Sequence, residues 1–371
     1  SAIAAERKGK ALGVAAAGAA VAAPIAAVGR QGVGILVGYQ DAISETQAIT
    51  RATDEQMKLI SQQAKDLGAT TRFSSAEAAE AMTYLGMAGF KTQEIMESVG
   101  DTLNLAAAGH LGLAESADIS SNVLSGFNLK AKEMGRVANV MALVAATANT
   151  SVAQLGEAMA YSAPAAAMFG ASIEEASAMV GIGGNIGIQA SSAGTAMRAG
   201  FVNLSSALKQ GSLKSTFGVE VVDPLTKANR NIIDIIGDIK KSMDVDFRDP
   251  QFVKDLKSIE EQMSAGELGP DAYDAQIAAL QKKFPQYSTA LSGLSDIFGK
   301  TAVSFWAGQI SQYEQLTHDS IQALSASMDP EILTKALQKQ GVKVKDNEDI
   351  FDAVLRIAPD YQSAANLIDK A

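Results

Sequence analysis

A chain of 371 residues with no cysteine excludes a small disulfide-stapled fold and thiolate metal sites. Its formal charge of -10 argues against wholesale phosphate binding, so no specific nucleic-acid site is expected. Hydrophobic residues make up 47% of the chain and aromatics 5%, which predicts a core of Ala, Leu, Ile and Met packed at close range through many shallow contacts. The opening Ser1 and a final helix that looks unfinished give the expectation of a processed product or the ordered part of a longer protein.

Residues 11–29 are uncharged, and a second apolar piece runs from Gly32 to Gly38. With Leu, Ile and Val sparse, the segment reads as an Ala-rich helix, kinked at Pro24, that packs on other helices. The alternative is a membrane-inserting, channel-forming segment, since about 18 uncharged apolar residues can span a bilayer. Its membrane contacts would be Leu12, Val14, Val21, Pro24, Ile25, Val28, Ile35 and Leu36.

Tyr39 to Leu67 reads as one surface helix burying Ile43, Ile49, Met57, Ile60 and Ala64, and closed by Gly68. Ser74 and Glu77 form a capping box that opens the next helix, Gly86 and Gly89 offer its stop, and Met82 and Leu85 face the bundle. Further helices are expected over Thr92–Ala108, closed at Gly109, over Leu113–Leu124, ended near Gly126 and Asn128, and over Lys130–Ala148. Ser151 with Gln154 and Ser172 with Glu175 are two more capping boxes, the first opening a helix that Pro164 should kink or interrupt. Gly181, Gly183, Gly184 and Gly187 read as a flexible corner before a helix over Ser191–Leu208.

After Gln210 the texture changes. A short β-like stub is expected near 218–223, echoed near 341–346, with an amphipathic helix over Asn231–Met243 between them. Asp249-Pro250, Gly269-Pro270 and Asp329-Pro330 are helix starts, and the charged stretch 247–285 reads as solvated helices or a projecting arm. Leu291–Ile310 is apolar and carries the single Trp306. The fold class is therefore all-α: a multi-helix bundle of short Gly-terminated, Ser-capped helices. Four parts are expected: an apolar N-terminal helix over 1–38, a core helical domain over 39–210, a helical extension with a charged arm over 211–310, and a C-terminal helical segment over 311–371.

Catalytic chemistry is not legible. His110 and His318 lack ligand spacing and read as surface or cap residues, and no HExxH, Walker A or G-x-S-x-G pattern occurs. Glu77, Glu80, Glu174 and Glu175 sit in first helical turns, where the helix dipole already accounts for them. No catalytic residue, cofactor or metal is expected, and the chain reads as a non-enzyme.

The run Leu67-Gly68, Thr71, Phe73-Ser74, Glu77-Ala78-Ala79, Met82, Leu85 and Ala88-Gly89-Phe90 resembles the core region of phage tail tape measure proteins. The resemblance continues in order through Phe127-Asn128-Leu129, Tyr161-Ser162-Ala163-Pro164-Ala165, Gly170-Ala171-Ser172-Ile173-Glu174-Glu175, Gly187-Ile188 and Ala193-Gly194-Thr195-Ala196-Met197-Arg198. It is strongest over about residues 40–210 and weaker to about 310. Its structural signature residues are Gly68, Phe73, Ser74, Glu77, Gly89, Phe90, Pro164, Gly170, Gly187, Gly194 and Thr195.

What the resemblance implies is a virion structural protein of the tail-tube lumen, present in the host cytoplasm during assembly, that sets tail length and leaves ahead of the DNA at infection. The implied partners are the tail tube protein, tail-tip or baseplate proteins and tail assembly chaperones, with the host membrane under the alternative reading. Self-association into a homo-oligomer is also expected, because Ala/Gly faces leave helix surface suited to partner helices. A ruler needs extended helix at about 1.5 Å per residue. The short Gly-closed helices read instead as a compact module carried on that ruler.

Overall fold

The structure, a computed structural model, describes residues 38–223, 228–243, 247, 249–328, 330–339, 342, 349–358 and 360–369. Their elements are helices throughout, as the all-α expectation requires, and they fall into two compact units divided between Leu103 and Asn104. The first unit holds α1 (38–50), α2 (Asp54–Thr70), α3 (Ser75–Met87) and the first part of α4 (Thr92–Gly109).

Within the first unit the predicted single helix over Tyr39–Leu67 is two. Arg51 takes a left-handed φ of 53°, which breaks the helix, and Thr53 then caps α2 in a box with Gln56. Gly68 does not stop α2 either, since the helix runs on to Thr70. Its lack of a side chain is needed for contact: a Cβ there would sit 2.3 Å from Ser75 Oγ. Gly86 likewise lies inside α3, against Ile49 and Thr50 of α1. The Ser74–Glu77 box opens α3 as expected, and Gly89, at φ 93°, supplies the left-handed position after it. A buried hydroxyl pair, Thr46 Oγ1 to Thr83 Oγ1 at 2.8 Å, ties α1 to α3.

The second unit continues from α4 with α5 (Leu113–Gly126), a 3-10 turn (Ala131–Glu133), α6 (Met134–Thr147), α7 (Val152–Phe169), α8 (Ile173–Asn185) and α9 (Ala190–Gln210). Next come α10 (Ser212–Phe217), α11 (Ile232–Ser242), α12 (Pro250–Ser264), α13 (Pro270–Lys283), a 3-10 turn (Pro285–Tyr287) and α14 (Ser288–Phe298). Then follow α15 (Val303–Ser311), α16 (Tyr313–Ala326), α17 (Pro330–Lys339), α18 (Ile350–Ile357) and α19 (Tyr361–Asp369).

At its centre α7 lies on α9 at backbone distance, because a Cβ on Gly194 would fall 2.3 Å from the Ala158 carbonyl oxygen. Pro164 is accommodated inside an unbroken α7. One group of aromatics gathers beside this pair: Trp306 stacks on Phe298 with centroids 4.4 Å apart, and Phe201 bridges Trp306 to Phe169.

Three expectations change here. Gly181, Gly183 and Gly184 are not a flexible corner but buried positions in α8, where a Cβ would press on Val144, Phe305 and the Asn149 carbonyl. Only Gly187, at φ 79°, makes the turn, with the Ile188 N–H reaching back to the Gly183 carbonyl at 2.7 Å as in a Schellman motif. The helix expected over Lys130–Ala148 begins instead as a 3-10 turn. The stub near 218–223 is a single antiparallel bridge, Val222 to Asn229. Its echo near 341–346 lies, but for Val342, outside the described residues.

The charged stretch 247–285 is no free arm: α12 and α13 form a hairpin whose Phe252, Leu256 and Tyr273 are buried. Phe247, Phe252, Phe284 and Tyr287 cluster at its base, the closest pair of centroids 4.4 Å apart. The Pro250 and Pro270 starts are as expected.

Candidate functional site

Two buried carboxylate clusters hold the polar chemistry of the second unit. The first grows from the start of α8. Ser172 caps the helix, and its N–H donates to Glu175 Oε2 at 2.8 Å, closing the capping box. The next acid, Glu174, is fully buried and takes a two-pronged pair from Arg136 of α6, Nε to Oε1 at 2.7 Å and Nη2 to Oε2 at 2.8 Å. Tyr361 of α19 reaches the Ser172 hydroxyl at 2.9 Å, and Asn231, the cap of α11, also faces Glu175.

Burial pushes the Glu175 carboxyl up to about 7, against the opposing pull of the Ser172 hydrogen bond and the nearby Asn231 side chain. Burial likewise raises the Tyr361 phenol, helped by the charges of Glu175 and Glu174, while the Glu174 hydrogen bonds hold the Arg136 guanidinium protonated. Every member joins one helix to another, so the cluster binds α6, α8, α11 and α19 together.

The second cluster lies where α12 meets α15. Glu260 is 5% exposed; it accepts the Ser304 N–H at 2.9 Å and also bonds the Ser304 hydroxyl, at the first turn of α15. Burial pushes this carboxyl up to about 8, against those hydrogen bonds. Beside it is a cavity of about 330 Å³ bordered by Gly187, Ser191, Ser192, Thr195, Lys257 and Glu260. On the other side of α12 an apolar groove of about 570 Å³ runs past Ile186, Phe252, Leu256 and Ala307.

The signature residues do not converge on a reactive centre. In the first unit Gly68 is a contact position, Phe73 carries Arg72 over its ring at 4.9 Å, Ser74 and Glu77 open α3, and Gly89 and Phe90 follow its end. In the second, Pro164 is exposed within α7, Gly170 at φ 103° caps that helix, and Gly194 lets α9 approach it. Of these, Gly187 and Thr195 share the cavity beside Glu260.

The eight candidate membrane residues, Leu12 to Leu36, lie outside the described residues. Among the described residues no helix is long and apolar enough to cross a membrane, and no group of three or more His, Asp or Glu side chains could hold a metal ion. His110 is an exposed left-handed residue ending α4, where Gly109 was expected to act, and His318 is exposed on α16.

Sequence reasoning missed two features of these clusters. The Arg136–Glu174 pair joins residues far apart in the chain, and the helix dipole alone had been invoked for Glu174 and Glu175. The Glu260–Ser304 contact left no local signal at all.

The fold and its buried clusters define a class: an all-α structural module whose polar side chains serve helix starts and helix–helix joints. The chain belongs to the phage-related minor tail protein family, which matches residues 61–299. It is 39% identical over 197 residues to the "Tape measure protein" of Pneumococcus phage Dp-1, covering 53% of this chain and 17% of that protein. It is 31% identical over 199 residues to the "Probable tape measure protein" of Escherichia phage P2, covering 49% of this chain and 24% of that protein. The matched region thus spans less than a quarter of either relative's length. No solved structure matches. The resemblance to phage tape measure proteins read from the ordered residue runs is borne out, and the chain is a structural component of a phage tail.

Proposed function

We propose that this chain is a compact, non-enzymatic module of a tape measure protein that takes part in tail length determination and assembly and leaves ahead of the DNA at infection. The observation that carries the reading is the family match over residues 61–299, laid on helices closed off every few turns by caps and left-handed residues. A continuous ruler would advance about 1.5 Å per residue. Packed helices such as α7 on α9 advance far less per residue. The partners that fit are the tail tube protein, which would enclose the module, tail-tip or baseplate proteins, assembly chaperones and further copies of this chain, all within the tail lumen of the virion.

In-frame removal of residues 104–371 from the phage gene tests this by tail length in negative-stain micrographs. The proposal expects few assembled tails, shortened by well under 1.5 Å per deleted residue. Normal numbers of tails at normal length would remove the assembly role. Shortening at the full helical rise would make the stretch part of the ruler itself.

A further inference from the structure

The mechanical joint between α12 and α15 is unusual in being flanked by open space. A cavity of about 330 Å³ lies on one side of α12 and a groove of about 570 Å³ on the other, and Lys257 and Ser304 border both. Between them the hairpin is fastened to its seat by polar contacts. Glu260 grips the Ser304 N–H and hydroxyl, the Tyr273 hydroxyl donates to the Lys300 carbonyl at 2.5 Å, and the Lys257 ammonium donates to the Gly187 carbonyl. Lys300 also pairs with Asp274 of α13.

Of these fasteners only Glu260 is a buried acid, and the groups facing it do not neutralise it. On its own helix Glu261 is a like charge, and Lys257, at the rim, is already engaged by Gly187 and Glu261. From α13 comes Tyr273, whose hydroxyl is committed to Lys300. The α9 side of the cavity presents Ser191, Ser192 and Thr195, none of them ionisable in the neutral range. From α15 come the Ser304 donors, the Val303 backbone N–H and the positive end of the helix dipole.

A protonated carboxyl can share a hydrogen with the Ser304 hydroxyl and still accept the Ser304 N–H. An ionised one leaves a buried charge with donors but no cation, beside a cavity through which water can reach it. We infer that the α12–α13 hairpin is a proton-sensitive flap, latched onto α15 by Glu260 and Ser304 and released when Glu260 ionises. This inference stands on the second unit's geometry and does not require the tape measure reading.

The direction follows from linkage. The latched state holds the proton more tightly than the released state, whose carboxyl has its ordinary value of 4.5. The ratio of released to latched hairpin therefore rises up to about tenfold for each pH unit above 4.5 and levels off near pH 8.

The chain has no cysteine, so Ser192→Cys on α9 and Ser264→Cys on α12, both at the rim of the cavity, can be spin-labelled alone. Dipolar distance measurements on the full chain at pH 5.5 and 8.5 read the latch. The expected result is one short distance at pH 5.5 and a second, longer population at pH 8.5, with circular dichroism unchanged. With Glu260→Gln added, the two distributions should coincide. An unchanged distribution in the labelled chain with native Glu260 would overturn the inference, a reading that does not depend on the Gln variant folding. So would the same lengthening in the Gln variant, or a loss of helix that accompanies it.

Discussion

Replacing Gly200 by alanine tests whether the core depends on backbone-distance packing rather than on apolar composition. A Cβ at this position would fall 2.0 Å from Trp306 Nε1 and 2.1 Å from its Cε2, on a ring that is fully buried. The ring cannot simply swing aside, because it is stacked on Phe298 at an interplanar angle of 8° and edge-on to Phe201 and Phe305. Its N–H donates to the Ala196 carbonyl at 3.1 Å, a bond that any shift would stretch. Overpacking of a dense core costs about 1–3 kcal/mol, and stranding a buried N–H adds about 1–3 kcal/mol. The better helix propensity of alanine returns up to about 1 kcal/mol. The net expectation is a loss of about 1–6 kcal/mol. For a unit of this size that lowers the melting temperature by roughly 2–24 °C. Guanidinium denaturation followed by the emission of the single Trp306 reads both the stability and the disturbed ring. An alanine variant with the parent midpoint and the parent emission spectrum would refute the packing argument.

The remaining predictions probe separate parts of the chain. Ser74→Ala removes the cap of α3 and should cost about 1 kcal/mol, read as faster amide exchange confined to the first unit. Glu174→Ala removes the two-pronged partner of the half-buried Arg136 guanidinium, leaving it only the Glu133 contact at 3.3 Å, and should cost about 2–3 kcal/mol by thermal unfolding, more than a surface pair would. Glu175 is raised to about 7 in the folded chain, so its stabilising contribution is complete below 4.5 and is lost as pH rises through 7. Glu175 should therefore account for a loss of up to about 1.4 kcal/mol per pH unit in the second unit across that window, beside the separate contribution of Glu260, and Glu175→Gln should remove that share of the slope. Finally, removal of residues 11–38 should leave liposome flotation unchanged if that stretch is a packing helix. A loss of flotation would instead support the membrane reading.

Local signals were the legible ones. Ser74 with Glu77, Ser151 with Gln154 and Ser172 with Glu175 all form the boxes expected, because a capping box is written within four residues and needs nothing from elsewhere. The break at Arg51 could have been found from the matching Thr53–Gln56 box, which the apolar spacing of Ile49 and Met57 masked. Glycine was the less readable letter. Gly89 and Gly187 do take left-handed conformations, but Gly68, Gly86, Gly183 and Gly184 are glycines because another helix or a side chain stands where a Cβ would go. A sequence shows the missing side chain and not the neighbour that forbids it. The same holds for the two clusters: Arg136 meets Glu174 and Glu260 meets Ser304 only through tertiary packing, so the helix dipole accounted for Glu174 in its first turn and the charged stretch around Glu260 looked solvated.

The central claim, that the chain is built into the tail, is tested most directly by quantitative mass spectrometry of purified tails from the phage that encodes it. The account predicts peptides from across residues 61–299 in the purified particles, in a fixed ratio to the tube protein and well below one to one. Peptides abundant in the lysate but absent from purified tails would contradict it.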